Sequence, residues 1–235
     1  LSQYGMINGM VLPVITFPTV LTDSYSMLLI PEFSTYVAQN NYKAINFIAN
    51  KIFKVTCAFS MCICSIFFIF SNDLGLAIYN NIETGYFFKV FTPFIFFMYM
   101  DHIIDCILKG LNKQFGVMCC NILDLSITTC FIYFLLPVLG IKGYVISIFF
   151  SEVLNFSISL FQLFKYSKIK PNFIDWIVVP LTCSLIAYFV TIVFHFNFVN
   201  LTINLIFNIL LFVFVFVSIF IFINFFILKF TSSKE

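Results

Sequence analysis

The chain is 235 residues long, 62% hydrophobic and 20% aromatic, with 9% charged residues and a net charge of +2. Its mean hydropathy is +1.07, whereas an ordinary soluble domain is about a quarter charged, so the composition excludes a soluble domain and places the chain in a bilayer. All twelve basic residues are Lys, dispersed along the sequence, which leaves no basic face suited to nucleic acid.

A hydrocarbon core about 30 Å thick needs about 20 apolar residues in helical form. Runs of that kind lie at 6–37, 45–70, 87–108, 117–139, 143–164, 173–196 and 201–228. The breaks between them, "QNNY", "SNDLG" with "NNIETG", "KGLNKQ", "LGIKG", "KYSKIKPN" and "HFNFVN", are polar or turn-forming. The expected fold is an all-α integral membrane bundle of about seven transmembrane helices.

The first run carries Pro13 and Pro18 in "LPVITFPTVL". Each proline removes an N–H and crowds the preceding turn, so this span is expected to bend. Broken membrane helices are tolerated where they border cavities or partner helices. "IPEFS" then ends the span, placing Glu32 near the headgroups, and "NNYKAINFIANKIFK" reads as an amphipathic lead-in to the second span.

The third run holds "FFMYMDHIIDCILKG", with Asp101, His102, Asp105 and Lys109 inside apolar sequence. Asp101, Asp105 and Lys109 recur every fourth residue and share one helix face. Asp before Lys is the favourable order for a helical ion pair, so Asp105 and Lys109 are expected to pair at the cytoplasmic face, with Lys109 snorkelling outward. His102 is rotated away and fits an interhelical hydrogen bond. The fourth run contributes Asn121 and Asp124, the fifth Glu152 and Asn155, and His195 ends the sixth as an interfacial residue.

Of the Lys residues, ten fall on the side that follows spans one, three, five and seven, and two, Lys89 and Lys142, on the other. The positive-inside rule then makes the first side cytoplasmic, with residue 1 outside and the C-terminus inside. On that orientation Asp101 and Asp124 lie roughly 13 Å deep at similar levels, with Asp23, Glu152 and Asn155 near the middle of their own spans. A charge at a helix centre costs about 2.5–3.5 kcal/mol on insertion scales, so such groups face the bundle interior or water. Asp101 and Asp124 either line a hydrated cavity or make structural bonds between helices.

Eight Cys lie within apolar runs without paired Cys-x-x-Cys spacing, so they read as buried thiols and no metal or cofactor is implied. No nucleophile, base or metal set appears, and no loop is long enough to hold one at the membrane surface, which argues against an enzyme.

Several stretches resemble the stage V sporulation protein B group of polysaccharide flippases. They are "YGMINGMVLPVITFPTVLTDSYSMLLIPEFSTYVAQNN", "YMDHIIDCILKGLNKQ", "NILDLSITTCFIYFLLPVLGIKGY" and "SEVLNFSISLFQLFK", covering residues 4–165 in order. That group is part of the multidrug, oligosaccharidyl-lipid and polysaccharide exporter superfamily, which includes the lipid II flippase. The resemblance implies the C-terminal portion of a fourteen-helix transporter with two six-helix lobes and two extra helices. Residues 1–170 would then be an incomplete C-terminal lobe of about five spans, and 171–235 the two additional helices.

Helices one to seven of such a transporter would lie outside this sequence, as a missing N-terminal lobe in the same or another chain. The resemblance further implies a lipid-linked glycan or cell-wall precursor as substrate, moved across the cytoplasmic membrane. Asp23, Asp101, Asn121, Asp124, Glu152 and Asn155 become candidates for its cavity or for cation coupling, and Pro13 and Pro18 for a moving kink. Lys stands where relatives often carry Arg, which weakens bidentate capture of a pyrophosphate. The alternatives are a multidrug or cation antiporter of the same superfamily and a truncated remnant that transports nothing.

Overall fold

The computed structural model describes the backbone of residues 2–167, 169, 174–194 and 200–232. His195, Lys168, Lys170 and Lys234 lie outside the described residues. Six helices are long and apolar enough to cross a membrane, and a bent pair brings the number to as many as seven.

The first span is α1 (Ser2–Met6), a π-helical turn (Ile7–Val11), α2 (Leu12–Thr16) and α3 (Thr19–Ala38). In the wide turn the Leu12 N–H reaches back to the Ile7 carbonyl, and Pro13 follows at once. Pro18 cannot donate to the previous turn, and the halves Gln3–Thr16 and Thr19–Ala38 meet at 50°. A sharp bend at proline is the ordinary result of a missing hydrogen bond.

The remaining helices are α4 (Tyr42–Ile69), α5 (Ser71–Tyr79), α6 (Ile82–Gly110), α7 (Gln114–Leu139), α8 (Ile141–Ser167), α9 (Val179–Val193) and α10 (Leu201–Ser232), with a π-helical turn at Ile174–Val178 before α9. They form two compact units, Leu1–Thr56 with Pro93–Pro171 and Cys57–Thr92 with Asn172–Glu235. The division therefore runs through α4 and α6, and again between Pro171 and Asn172.

In the first unit, Ile7, Val11 and Ile15 of the broken span are fully buried, as are Ile95, Ile103 and Ile107 of α6. Without a water-driven hydrophobic effect inside lipid, such contacts hold by close packing and interhelical hydrogen bonds. The Tyr144 hydroxyl of α8 donates to Asn8 at 2.9 Å, and its ring stands edge-on to Tyr4 at 4.9 Å. The α7–α8 hairpin turns at Gly140, whose φ of +58° suits glycine. A Cβ on Gly143 would run into the Leu135 carbonyl, so the two helices touch backbone to backbone at the turn.

α8 buries a face of small and polar residues: Gly143, Ser147, Ser151, Asn155, Ser159, Leu163 and Ser167. This period of four is one stripe along a helix. α7 is peripheral, with none of its most apolar window buried. Its hydroxyls are satisfied internally, as in Ser126 to Ile122 O at 2.8 Å and Thr129 to Leu125 O at 2.7 Å. The peripheral position also corrects the expectation that every thiol is buried, because Cys130 on α7 is exposed and Cys119 half-buried, while the other six are buried and all eight are free.

The second unit pairs α9 with α10 around Cys183, Ala187, Phe212 and Phe216. Between α4, α6 and α9 lies a cleft of 530 Å³ lined by Met61, Phe68, Lys89, Leu185 and Tyr188 among others, with the Lys89 ammonium over the Phe68 ring at 4.9 Å. α5 meets the first turn of α6 through glycines. A Cβ on Gly75 would lie 2.6 Å from the Gly85 nitrogen and 2.8 Å from the Asn81 carbonyl. Backbone cannot yield there, so Gly75→Ala is expected to destabilise by about 3 kcal/mol. Gly5→Ala, inside α1 with nothing within 4 Å of the new methyl, should raise Tm slightly, since Ala is favoured over Gly in a helix by up to about 1 kcal/mol; thermal unfolding of both variants in detergent checks the contrast.

Candidate functional site

The polar residues of α6, α7 and α8 converge in the first unit. Asp101 and Asp105 point inward from α6 and are each 8% exposed. Asn155 on α8 donates its amide to Asp101 Oδ2 at 2.8 Å, and the Ser159 hydroxyl neighbours the same carboxylate. Asn121 on α7 reaches Asp105 Oδ2 at 3.4 Å.

One and two turns further along the hairpin, Asp124 takes the Ser151 hydroxyl onto its carboxylate. Thr128 shares a hydrogen bond with Ser151 and donates to the Asp124 carbonyl at 2.8 Å. Glu152, half-buried on α8, has Asp101, Asp124 and Asp105 as its charged neighbours. Near the opposite end of the hairpin Gln162 donates to Cys120 Sγ at 3.0 Å, and a Cβ on Gly116 would fall 2.8 Å from Gln162 Oε1.

This is an acceptor-rich patch. Asp101 Oδ1, Asp105 Oδ1, Asn155 Oδ1 and Gln162 Oε1 are buried with no hydrogen-bond partner among the described protein groups. Carboxylate and amide oxygens in that state need donors, because an unpaired buried polar atom costs about 1–3 kcal/mol. Chemically the patch suits hydroxyls, ammonium groups, water or a cation. Among the described residues no three His, Cys, Asp or Glu side chains are grouped closely enough to hold a metal ion.

Five of the sequence-predicted candidates besides Asp101 need individual placement. Asp105, Asn121, Asp124, Glu152 and Asn155 fall in this patch, although Asn121 is itself exposed. Asp23 does not join them. Its carboxylate lies 3.1 Å from His102 Nδ1, with the two side chains 39% and 49% exposed. Pro13 and Pro18 flank the bend, and Glu32 is exposed on α3.

The expected pair of Asp105 with Lys109 does not form within 4.0 Å; the contact found at that range is His102 Nδ1 with Asp23 Oδ1. Asp105 is buried toward α7 and bonded by Asn121, whereas Lys109 remains half-exposed at the helix end, as a snorkelling ammonium would.

Ser147, Ser151, Ser159 and Thr128 were not among the sequence candidates. Their signal was present: Ser147, Ser151, Asn155 and Ser159 recur at intervals of four, the spacing of one helix face. Tyr99 on α6, whose buried hydroxyl donates to the Ile15 carbonyl at 3.0 Å, was likewise overlooked because a tyrosine among phenylalanines carries no mark of that bond.

No protein-family model matches the sequence, and no solved structure matches it. The chain is similar to Stage V sporulation protein B of Bacillus subtilis (strain 168), with 26% identity over 178 residues. That alignment takes in 72% of this chain and 33% of the relative, so the chain spans about a third of the curated protein it matches. Its long apolar helices and this shared sequence make the chain a multi-pass membrane protein related to Stage V sporulation protein B.

Proposed function

We propose that the chain is part of a flippase that carries lipid-linked oligosaccharide or cell-wall precursors across the cytoplasmic membrane. The observation that carries this reading is the acceptor-rich patch on α6, α7 and α8, where buried oxygens of Asp101, Asp105 and Asn155 lack donors. Moving a sugar headgroup through hydrocarbon requires a polar path, and sugar hydroxyls are donors that such oxygens accept. The similarity to Stage V sporulation protein B supports the same class of membrane protein.

The wider arrangement is part of the proposal: a MATE-like transporter, no enzymatic step, a further lobe in the same or another chain, and a cytoplasmic C-terminus supported by ten Lys against two. In the full-length protein, Asp101→Asn and Asp124→Asn are each expected to lower flipping of a fluorescent lipid-linked sugar at least tenfold, equivalent to about 1.4 kcal/mol. Unchanged flipping in both variants would remove the groove assignment.

The same excess of carboxylates also favours a cation-driven drug antiporter. Drug efflux from cells expressing the full-length protein, with no effect on lipid-linked sugars, selects that reading over the flippase.

A further inference from the structure

Lys89 stands apart from the other lysines. Ten of the twelve fall on one side of the proposed spans, with Lys89 and Lys142 on the other, and Lys89 lies two turns inside α6 rather than in a loop. An ammonium held against hydrocarbon needs a compensating group. Its contact is the Phe68 ring, 4.9 Å away, and an aromatic face attracts a cation without neutralising it.

Lys89 and Phe68 both line the 530 Å³ cleft of the second unit, a volume within the range of small-molecule sites. Phe68 is next to the last residue of α4, so the ammonium marks the end of the cleft nearest the membrane surface. Met61 lies about 10 Å deeper along α4 at the helical rise, and Leu181 and Leu185 form the facing wall on α9. The Cys64 thiol donates to the Thr92 carbonyl at 3.3 Å and holds α4 against α6.

The small hydroxyls of the cleft are already engaged. Ser65 donates to the Met61 carbonyl at 2.8 Å, Thr92 to the Phe88 carbonyl at 3.1 Å and Ser184 to the Leu181 carbonyl at 2.8 Å. Each proton stays on its own helix, so the donors left in the lining are the Lys89 ammonium and the Tyr188 hydroxyl. A fitting ligand carries acceptors and negative charge at one end and hydrocarbon behind them.

We infer that this cleft holds an anionic glycerophospholipid, with its phosphate on Lys89 and one acyl chain laid along Met61, Leu181 and Leu185. The headgroup is chosen by charge: the ammonium offers its N–H groups to phosphate oxygens, whereas a zwitterionic headgroup brings a second cation to the same place. The tail is chosen by contact, since a chain in the cleft gives its walls the packing partners they otherwise lack. A soluble anion has no tail, and an uncharged chain has nothing for Lys89. The lipid then bridges α4, α6 and α9 as part of the second unit. These residues lie outside the acceptor-rich patch, so the inference stands whether or not the cargo is a lipid-linked sugar.

The test uses full-length protein in nanodiscs with equal amounts of phosphatidylglycerol and phosphatidylcholine, followed by native mass spectrometry of the lipid that stays bound. Wild type is expected to retain phosphatidylglycerol about fivefold over phosphatidylcholine, the discrimination that one ion pair near a membrane surface supports. Lys89→Gln should abolish the preference and Lys89→Arg should keep it. Lys142→Gln removes the other lysine of that side and should leave the preference unchanged. Ser184→Trp, which fills the cleft, should lose both lipids. Glycerol phosphate, an anion without the chain, should displace neither.

A preference that survives Lys89→Gln, or that Lys142→Gln also abolishes, overturns the phosphate site. Lipid that stays bound in Ser184→Trp, or that glycerol phosphate displaces, overturns the acyl cleft; the competition needs no variant and decides the matter if Ser184→Trp fails to fold. Equal retention of the two lipids by wild type overturns the whole assignment. Because binding is read without transport, a protein that holds the lipid but flips no sugar refutes the transport reading and leaves this site intact.

Discussion

Asn155→Leu is expected to destabilise the protein by about 3 kcal/mol, because it removes the donor that Asp101 holds at 2.8 Å and leaves a buried carboxylate oxygen unpaired. The other oxygen of Asp101 already lacks a partner among the described protein groups, which leaves the Ser159 hydroxyl as the neighbouring donor. Adding Asp101→Leu should recover most of the loss, since replacing both members of a buried polar pair by apolar groups of similar size is nearly neutral. Transport is expected to behave differently. If the patch receives a polar cargo, the double variant regains its Tm and remains inactive. Thermal unfolding alongside flipping separates the two effects, and a double variant no more stable than the single one would show that the pair contributes nothing to the fold.

Gly110→Val is expected to cost about 3 kcal/mol, at the upper end of overpacking effects. Even the first carbon of the new side chain would lie 2.6 Å from Phe33 Cβ and 3.1 Å from the Ile30 carbonyl. Those atoms belong to, or adjoin, the α3 backbone, so rotamer changes cannot clear them. Trimming the ring with Phe33→Ala should therefore give no rescue, whereas Phe33→Gly should give partial rescue. Identical Tm values for the two double variants would mean that the clash is with the ring and that the helices do not cross this closely.

The spans were legible because hydrocarbon imposes a length and a composition that no loop imitates. The apolar runs at 45–70, 87–108, 117–139 and 143–164 correspond to α4, α6, α7 and α8 within a few residues at each end. Pro13 and Pro18 mark the break for the equally local reason that proline has no N–H. Asp101, Asp124 and Asn155 were legible as polar residues inside apolar runs. What could not be read was azimuth. Whether Asp23 turns toward Asp124 or toward His102 depends on the rotation of a bent span, and nothing local to either residue sets it. The Asp105–Lys109 expectation failed for the same reason: helical spacing permits the pair, but Asn121 on another helix decides which oxygen is engaged. Serine on α8 carries no mark of a contact between helices, because membrane helices commonly tuck its hydroxyl onto their own carbonyls, as Ser147 does onto Gly143 at 2.7 Å. Ser151 shows that this habit is not universal, since it bridges to Asp124.

The acceptor-rich patch also has a field. Asp101, Asp105, Asp124 and Glu152 bring four acidic groups together, Asn155, Asn121 and the serines around them supply dipoles, and the one lysine acting on Asp101 and Asp105 is Lys109 at the end of α6. An anionic phosphate brought within about 6 Å of one ionised carboxylate is repelled by about 3 kcal/mol at an effective dielectric of about 20. A neutral or amino sugar feels no such barrier. On the proposed reading the patch sorts its cargo end by end: the carbohydrate enters among the carboxylates while the phosphate that joins it to the lipid is held away from them, so the amphiphile crosses in a fixed orientation, sugar leading and anion trailing.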